Sequence, residues 1–244
     1  MPTAKLIIRD EVNIKFEGVD PSTRRRLSAA VKFMLPYAFH MPAYKLGRWD
    51  GMIRFCDVGG RTYLNLLDTL LPIIQQAGYE LDIEDHRQQW NFNFAQVDEN
   101  VLSDINWPKG HGDAGKPIVL RDYQVDVVNN SLTHLQSLQE VATGAGKTII
   151  TATLSKLVGE YGRSIVIVPN KSLVTQTEED YINVGLDVGV FYGDRKEFGR
   201  QHTICTWQSL NVLLKKSKKK TAGIDIQQFI EGVVCVMVDE VHQA

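Results

Sequence analysis

Two segments of the chain carry residue types that together could bind a nucleoside triphosphate. The first is the run Gln139–Thr148, which contains Gly144, Gly146, Lys147 and Thr148. The glycines permit a tight turn whose N–H groups point inward, where they and the start of the following helix can surround phosphate oxygens. The lysine would place a positive charge at the β- and γ-phosphates, and the threonine hydroxyl would be a ligand for Mg²⁺.

The second segment lies roughly ninety residues later and supplies carboxylates. An apolar run, Val233–Val238, ends on Asp239 and Glu240, and His242 follows. A buried strand would deliver Asp239 as a second Mg²⁺ ligand and Glu240 as the group that orients or deprotonates the attacking water. The prediction requires that the side chains of Lys147 and Asp239 meet in the fold.

A structural interpretation of the glycine segment stays open at this point. The strict phosphate-binding loop pattern has glycine where this chain has Val141, so residues 144–146 could form an ordinary turn between a strand and a helix. Lys147 and Thr148 would then only begin that helix. This interpretation leaves the acidic pair at the end of the later strand without a role.

Composition indicates a globular protein without membrane or disulfide chemistry. The chain has 244 residues, 43% hydrophobic and 23% charged, which suits two modest domains. Its apolar runs are of strand length and its N-terminus lacks the apolar core of a signal peptide, so we expect a cytosolic protein. Because Cys56, Cys205 and Cys235 lack metal-ligand spacing, we expect neither disulfides nor zinc.

Charge is distributed unevenly along the chain. Residues 1–64 hold eleven Lys or Arg against six Asp or Glu, and residues 65–105 hold one against eight. A basic patch can hold a phosphate backbone because each neutralised phosphate releases counterions. A helix that carries Arg24, Arg25 and Arg26 can equally be a solvated face, so charge alone does not decide.

Hydrophobic periodicity predicts a small basic α/β domain over residues 1–97, a linker over 98–118 and a larger domain over 119–244. For the first domain we predict these elements: a strand or hairpin over Ala4–Phe16, a helix that begins near Pro21 and includes Arg24–Leu35, a hairpin of Met52–Cys56 with Arg61–Leu64, a helix over Leu66–Gln76 and a strand over Tyr79–Ile83.

Strands alternate with helices in the second domain, which predicts a parallel sheet buried on both faces. The predicted elements are helix Arg121–Leu135, strand Leu138–Val141, helix Thr148–Gly159, strand Ser164–Pro169, helix Ser172–Asn183, strands Val188–Tyr192 and Thr203–Thr206, a helix to Leu214, and strand Val233–Asp239.

Five ordered motifs narrow the class of protein. They are Leu120–Gln124, Ala142–Thr148, Val168–Leu173, Thr203–Leu210 and Asp239–His242. In order and spacing they resemble the first motor lobe of superfamily 2 helicases of the DExH type, over everything after the linker. The resemblance implies a RecA-like parallel sheet with flanking helices, ATP and Mg²⁺ as cofactors, and DNA as partner.

The resemblance also assigns roles to single residues. It implies that Lys147, Asp239, Glu240 and His242 act in hydrolysis, that Thr148 and Asp239 hold the metal, and that His242 links hydrolysis to the nucleic acid. The implied nucleotide-binding residues are Arg121, Gln124 (for the adenine edge), Thr143, Gly144, Ala145, Gly146, Lys147 and Thr148. The implied strand-binding residues are Pro169, Lys171, Ser172, Thr206 and Gln208. For each of these five except Lys171, a helix-capping or turn role is an equal explanation.

Two further basic segments have open interpretations. Arg24–Arg26, with Arg48 and Trp49, could bind duplex or branched DNA, because basic and aromatic groups interleave there. Trp49 could stack on an exposed base, or it could fix the predicted hairpin to the core. The lysine run 215–220 could be a solvated loop or a phosphate contact.

The resemblance implies an ATP-dependent DNA helicase or translocase that acts on branched DNA and R-loops, including RNA–DNA hybrid, in recombination, repair and replication control. Two alternatives are an ATP-switched nucleic-acid-binding module and a restriction-type duplex translocase. The chain ends at Ala244, before the second lobe that supplies an arginine finger in this family. Since such a finger contributes roughly 10³ to 10⁵ in rate, we expect the chain alone to be inactive or a very weak ATPase.

Overall fold

The computed structural model describes residues 2–88, 91–134, 136–221 and 223–243. Internal contacts divide the chain into two compact units, Met1–Asn91 and Phe92–Ala244. Residues 98–118, the predicted linker, fall within the second unit. There Leu102 and Ile118 are buried in its core, because the segment contributes apolar side chains as well as turns. Among the described residues, no helix has the length and apolar character needed to cross a membrane.

The first unit is a four-stranded sheet with two helices on one face and a small ribbon beside it. Its elements are β1 (Thr3–Ile8), β2 (Asn13–Glu17), α1 (Pro21–Ala30), β3 (Lys32–Met34), α2 (Pro42–Lys45), β4 (Met52–Arg54), β5 (Arg61–Tyr63), α3 (Leu67–Gln76) and β6 (Glu80–Asp85). The sheet order is β5-β2-β1-β6, with β1 parallel to β6 and the other pairs antiparallel.

Alternation along the strands explains how this unit forms its core. Leu6 and Phe16 point to the buried face, where Leu27 of α1 and Leu70 of α3 cover them. Helix α1 begins where the Asp20 carboxylate accepts hydrogen bonds from the backbone N–H groups of residues 22 and 23. The predicted strands at both ends of the unit and the helix over Leu67–Gln76 are confirmed.

Two sequence-based expectations for the first unit are wrong. Helix α1 ends at Ala30 instead of Leu35, because residues 32–34 form β3 and pair with β4. The predicted hairpin of β4 with β5 does not form, although its turn does: Gly60 N–H donates to the Asp57 carbonyl at 3.0 Å. Beyond that turn β5 pairs with β2, so the turn signal was correct and the pairing inferred from it was not.

The second unit is a doubly wound α/β lobe. Its elements are α4 (Asp122–Thr133), α5 (Lys147–Val158), β7 (Arg163–Val168), α6 (Lys171–Asn183), β8 (Val188–Tyr192), β9 (Arg195–Lys196), β10 (His202–Thr206), α7 (Trp207–Lys218), α8 (Ile226–Ile230) and β11 (Val233–Val238). The sheet order is β11-β7-β10-β8-β9, parallel except for β9. The predicted fold class, a parallel sheet with flanking helices after a small α/β domain, is confirmed.

Successive residues of the central strands face two different cores. Val166 of β7 and Ile204 of β10 pack towards α5 and α6, whereas Ile165 and Cys205 pack towards α7 and α8. This is why these strands read as nearly continuous apolar runs. The thiol of Cys205 is free, and burial raises its pKa to about 12.

One predicted strand of this unit is absent. Residues 138–141 form no strand among the described residues, and the Leu138 side chain is 81% exposed. The short run Leu-Gln-Glu-Val offers too few apolar side chains to bury beside β11. The predicted helix Arg121–Leu135 is α4, Asp122–Thr133; Leu135 itself lies outside the described residues.

A chain of buried polar groups joins the sheet to its helices. The hydroxyl of Ser164 lies 2.9 Å from His202 Nδ1 and 2.9 Å from the Ser155 hydroxyl, which lies 3.0 Å from the Tyr181 hydroxyl. All four side chains are buried. Since each of these four groups has a partner, the network links β7, β10, α5 and α6 at a low cost for burying them.

Acidification should weaken the second unit through His202. Burial lowers the pKa of His202 below its usual 6.5, so folding favours the neutral ring. The stabilising contribution of the neutral His202 ring is complete above pH 6.5 and is lost as the pH falls through the lower folded-state pKa.

We expect the melting temperature to fall more steeply below pH 6.5 in the parent than in His202→Asn, which cannot titrate. His134→Asn, at an exposed site, is the control; equal slopes for parent and His202→Asn would contradict this.

Candidate nucleotide-binding site

The loop before α5 has the backbone shape that phosphate binding requires. Gly144 (φ +79°) and Gly146 (φ +81°) both lie in the left-handed region, which side chains other than glycine rarely adopt. The Ala145 N–H donates to the Ala142 carbonyl at 3.2 Å, which closes the turn. Gly146 is the N-cap of α5, so the free N–H groups of the first helical turn open onto this loop.

Three residues at the start of α4 hold the loop from one side. The Tyr123 hydroxyl and the Gln124 amide both donate to the Ala145 carbonyl, at 2.8 Å and 2.9 Å. The Gln124 carbonyl oxygen accepts the Arg121 backbone N–H at 2.9 Å, and the Arg121 guanidinium donates to the Tyr123 hydroxyl. Gln124 is buried, and each of its two polar side-chain atoms has a protein partner.

The lysine of the loop meets the acidic pair at the end of β11. Lys147 Nζ forms an ion pair with Glu240 Oε1, across 93 residues of sequence. The hydrogen bond to Glu240 raises the pKa of Lys147, with Asp239 adding to the effect, and the same bond lowers the pKa of Glu240. The two segments therefore converge at the carboxyl edge of the sheet.

The backbone at the acidic pair is shaped for this contact. Asp239 continues the ladder of β11, since its N–H donates to the Ile167 carbonyl at 2.9 Å. Its carboxylate then accepts the Glu240 N–H at 3.0 Å. Glu240 itself has φ +51°, a left-handed conformation that costs roughly 1–3 kcal/mol in a residue other than glycine. His242 Nδ1 lies 3.5 Å from the second oxygen of Glu240, so the histidine adjoins the acidic pair.

The residues at this edge fit a magnesium nucleotide. At Gly144 an added Cβ would meet nothing within 4 Å, so the loop is open on the side where phosphates would lie. The described residues contain no group of three or more His, Cys, Asp or Glu side chains able to hold a metal. Magnesium does not need one, because it binds through one or two protein ligands together with phosphates and water. Thr148 and Asp239 adjoin the paired residues Lys147 and Glu240 in the sequence, which makes them the candidate ligands.

A second site feature is a groove of about 600 Å³ beside the sheet edge. Four of the five residues predicted to bind a nucleic-acid strand line it: Pro169, Lys171, Thr206 and Gln208. Ser172, the fifth, is exposed in the first turn of α6 but is not among the lining residues. The Gln208 amide donates to the Pro169 carbonyl at 3.4 Å, which ties the two motifs together.

The starts of two helices, α6 and α7, border this groove. Asn170 caps α6 and Thr206 caps α7, and both residues lie in the groove wall. The Thr206 hydroxyl accepts the Ser209 N–H and is buried, so the capping explanation for Thr206 is correct. The capping role does not exclude binding, since a helix start keeps further N–H groups that are free to donate.

Two lysines of the groove were not among the predicted site residues. Lys196 of β9 and Lys216 of α7 both line it and are exposed. No sequence signal marks Lys196. Lys216 belongs to the lysine run, whose first four residues continue α7 instead of forming a loop. The run is therefore partly helical, and one of its residues borders the groove.

The basic residues of the first unit differ in their exposure and contacts. Arg24 is half-buried and Arg26 donates to the Gln76 side chain at 3.2 Å, while Arg25 and Arg48 are exposed. The Trp49 indole N–H donates to the Met52 carbonyl at 3.0 Å, which ties the ring to β4. Trp49 is not part of the buried core cluster, and the hairpin it was expected to fix does not form.

The chain is similar to known proteins in family and in fold. Residues 117–244 match the family described as type III restriction enzyme, res subunit. No curated protein matches the chain. A crystal structure of the UvsW helicase from bacteriophage T4 is similar over 99% of this chain and 84% of its own length, with 22% identity and a TM-score of 0.71. A second structure of T4 UvsW is similar over 99% of this chain and 53% of its own, with 20% identity and a TM-score of 0.69. These two likenesses concern the fold, and they confirm the predicted resemblance in fold to a helicase.

The two glycines of the loop should differ in their tolerance of a side chain. An alanine at either position adopts a positive φ, at a cost of about 1–2 kcal/mol. Only at Gly146 would the new Cβ also collide, 2.6 Å from Gln124 Nε2. We expect Gly146→Ala to lower the free energy of unfolding by about 1 kcal/mol more than Gly144→Ala, because it breaks the Gln124 hydrogen bond as well. Denaturant unfolding of both variants measures this, and equal losses would contradict it.

Proposed function

This chain belongs to the family of the type III restriction enzyme res subunit, and from that premise we propose that it is the nucleotide-binding motor lobe, with an added N-terminal unit, of an ATP-dependent DNA helicase or translocase. The observation that supports this most directly is the ion pair between Lys147 and Glu240. It brings a glycine loop and a strand-end acidic pair to one edge of a parallel sheet, the place where such sheets bind ligands.

In this proposal each residue of the site has one task. Lys147 exchanges its bond with Glu240 for the phosphate oxygens, and this frees the Glu240 carboxylate to accept a proton from water. Thr148 and Asp239 hold Mg²⁺, which neutralises developing phosphate charge when it is bound. His242, beside Glu240, is positioned to transmit the state of that carboxylate to the nucleic-acid face.

We place one DNA strand in the groove beside the sheet edge. The N-termini of α6 and α7, helices of 13 and 12 residues, carry partial positive charge there. Lys171, Lys196 and Lys216 add three full positive charges. Such donors bind phosphate and sugar without reading base edges, which suits a motor that moves along any sequence.

The finer proposal is that branched DNA and R-loops are the substrates, in recombination, repair and replication control. It rests on the motif resemblance and on the basic first unit, where exposed Arg25 and Arg48 would contact a duplex arm. The family description favours a second candidate, a restriction-type translocase that moves on duplex DNA without separating strands. A strand-displacement assay on a forked substrate separates the two, because only the helicase releases a single strand.

Loss of Lys147 should abolish tight nucleotide binding, while loss of the Glu240 charge should not. Removing a charge-assisted contact to phosphate costs roughly 1.5–3 kcal/mol, so Lys147→Ala should bind a fluorescent ATP analogue with Mg²⁺ at least tenfold more weakly. Glu240→Gln removes the competitor for the lysine and should bind as tightly as the parent or more so. Lys156→Ala, which disturbs only a contact with Asp104, is the control. Unchanged binding by Lys147→Ala would refute the assigned site.

The groove lysines should contribute to DNA affinity through charge alone. Each lost phosphate contact lowers the slope of log K against log salt by about 0.7 for a single strand. Lys171→Ala with Lys216→Ala should therefore weaken binding equally for unrelated sequences and reduce the salt slope by roughly 1.4. Lys156→Ala again serves as the matched lysine outside the groove. A parental salt slope in the double variant would show that the strand runs elsewhere.

A further inference from the structure

The first unit exposes a line of three aromatic rings that its fold does not require. Phe33 and Phe55 stack with ring centroids 5.7 Å apart, and Phe55 meets Tyr63 edge-on at 6.0 Å. The three residues are 43%, 37% and 40% exposed. None belongs to the buried core cluster of the unit. We call these three residues the aromatic strip.

The strip reaches the open face of the four-stranded sheet. Tyr63 and Arg61 are two residues apart on β5, the edge strand, so their side chains share one face. That is the face opposite the core, since Thr62 between them is buried. Lys15 of β2 lies directly opposite Arg61 in the register and shares the same face. The Tyr63 end of the strip therefore adjoins two positive charges.

Two pairs of like charges lie on the strands that carry the strip. The pair in the sheet shares the face of Tyr63, whereas the pair in the ribbon lies on the face opposite Phe33, because Lys32 and Phe33 are successive residues of β3. Lys15 faces Arg61 in the sheet, and Lys32 faces Arg54 in the ribbon of β3 and β4. Like charges directly opposite one another destabilise a strand pair. One member of each pair is neutralised locally, Lys15 by Glu17 and Arg54 by Asp50. The other members, Arg61 and Lys32, are exposed and form no ion pair with a carboxylate of the described residues.

The segment that carries the strip has few acidic residues of its own, and Asp10 binds the side chain of Asn13, which lies directly opposite Tyr63 in the register. Between residues 32 and 63 the only acidic residues are Asp50 and Asp57. Asp50 is bound to Arg54, and the Asp57 carboxylate accepts the Arg61 backbone N–H at 2.9 Å. The surface thus combines exposed rings with the positive charge of Arg61, which forms no ion pair among the described residues. Single-stranded DNA has the matching chemistry, because it carries negative phosphates and apolar base faces.

We propose that the aromatic strip binds the unpaired bases of single-stranded DNA, with Arg61 on a flanking phosphate. Bases stack on aromatic side chains whatever their identity, while duplex DNA keeps its bases paired and offers the strip only phosphates. This inference deepens the proposed function, on which it rests. It makes the first unit a reader of the unpaired segment that a fork or an R-loop exposes, distinct from the groove of the second unit.

The test compares single-stranded and duplex DNA binding by the 244-residue chain without nucleotide. Fluorescence anisotropy with an oligothymidylate of about 15 nucleotides and a blunt duplex of the same length reports each affinity. Phe33→Leu and Tyr63→Leu remove a ring but keep apolar bulk, and Tyr63→Phe keeps the ring. Ile83→Ala alters an apolar side chain that is 60% exposed elsewhere in the unit and serves as the control.

Each leucine variant should lose roughly fivefold or more in single-strand affinity, because stacking is worth ~1 kcal/mol or more per base. Its salt slope and its duplex affinity should stay at parental values, since no charge is removed. Tyr63→Phe and Ile83→Ala should bind like the parent. Arg61→Ala should instead lower the salt slope.

The results that would overturn the role of the strip differ from the result that would overturn the proposed function. If the leucine variants bind single strands within twofold of the parent, or lose single-strand and duplex affinity in parallel, the strip does not stack on bases and the inference is overturned. If the parent binds neither kind of DNA, the proposed function itself fails. Thermal unfolding of each variant verifies that the ring changes leave the fold intact.

Discussion

The ion pair of Lys147 with Glu240 is the contact on which the arrangement of the second unit depends. It joins the start of α5 to the end of β11, where Glu240 has a left-handed backbone that residues other than glycine, asparagine and aspartate rarely adopt. The same contact presents a lysine and two carboxylates at the opening of the glycine loop. A charged ligand that engages the lysine must break this bond, so the fold and the ligand compete for one side chain.

Hydrogen bonds on both sides of the ion pair hold the glycine loop and the sheet in place. Tyr123 and Gln124 fix the loop through a single carbonyl, that of Ala145. The buried hydrogen-bond chain that includes Ser164 and His202 fixes the strands and helices below it. Rigid elements beneath and a strained residue at the edge are the combination expected of a site that changes state during a reaction cycle.

Sequence reasoning succeeded where chemistry and local pattern agreed. The glycines, Lys147, Asp239 and the apolar strands were predictable because each residue type has few other uses at that spacing. It failed where pairing partners are set by tertiary contacts: β5 joins β2 instead of β4, and residues 138–141 do not form a strand. Sequence reasoning did not find Lys196, because its position in the groove depends only on where β9 lies in the fold. The domain boundaries and the residue roles stay proposals.

The most direct measurement of the central claim is a crystal structure of the chain with Mg²⁺ and a non-hydrolysable ATP analogue. The account predicts that Lys147 leaves Glu240 for the phosphates, that the metal lies at Thr148 and Asp239, and that the loop around Gly144 surrounds the nucleotide. A nucleotide bound elsewhere, with the Lys147–Glu240 ion pair intact, would contradict it.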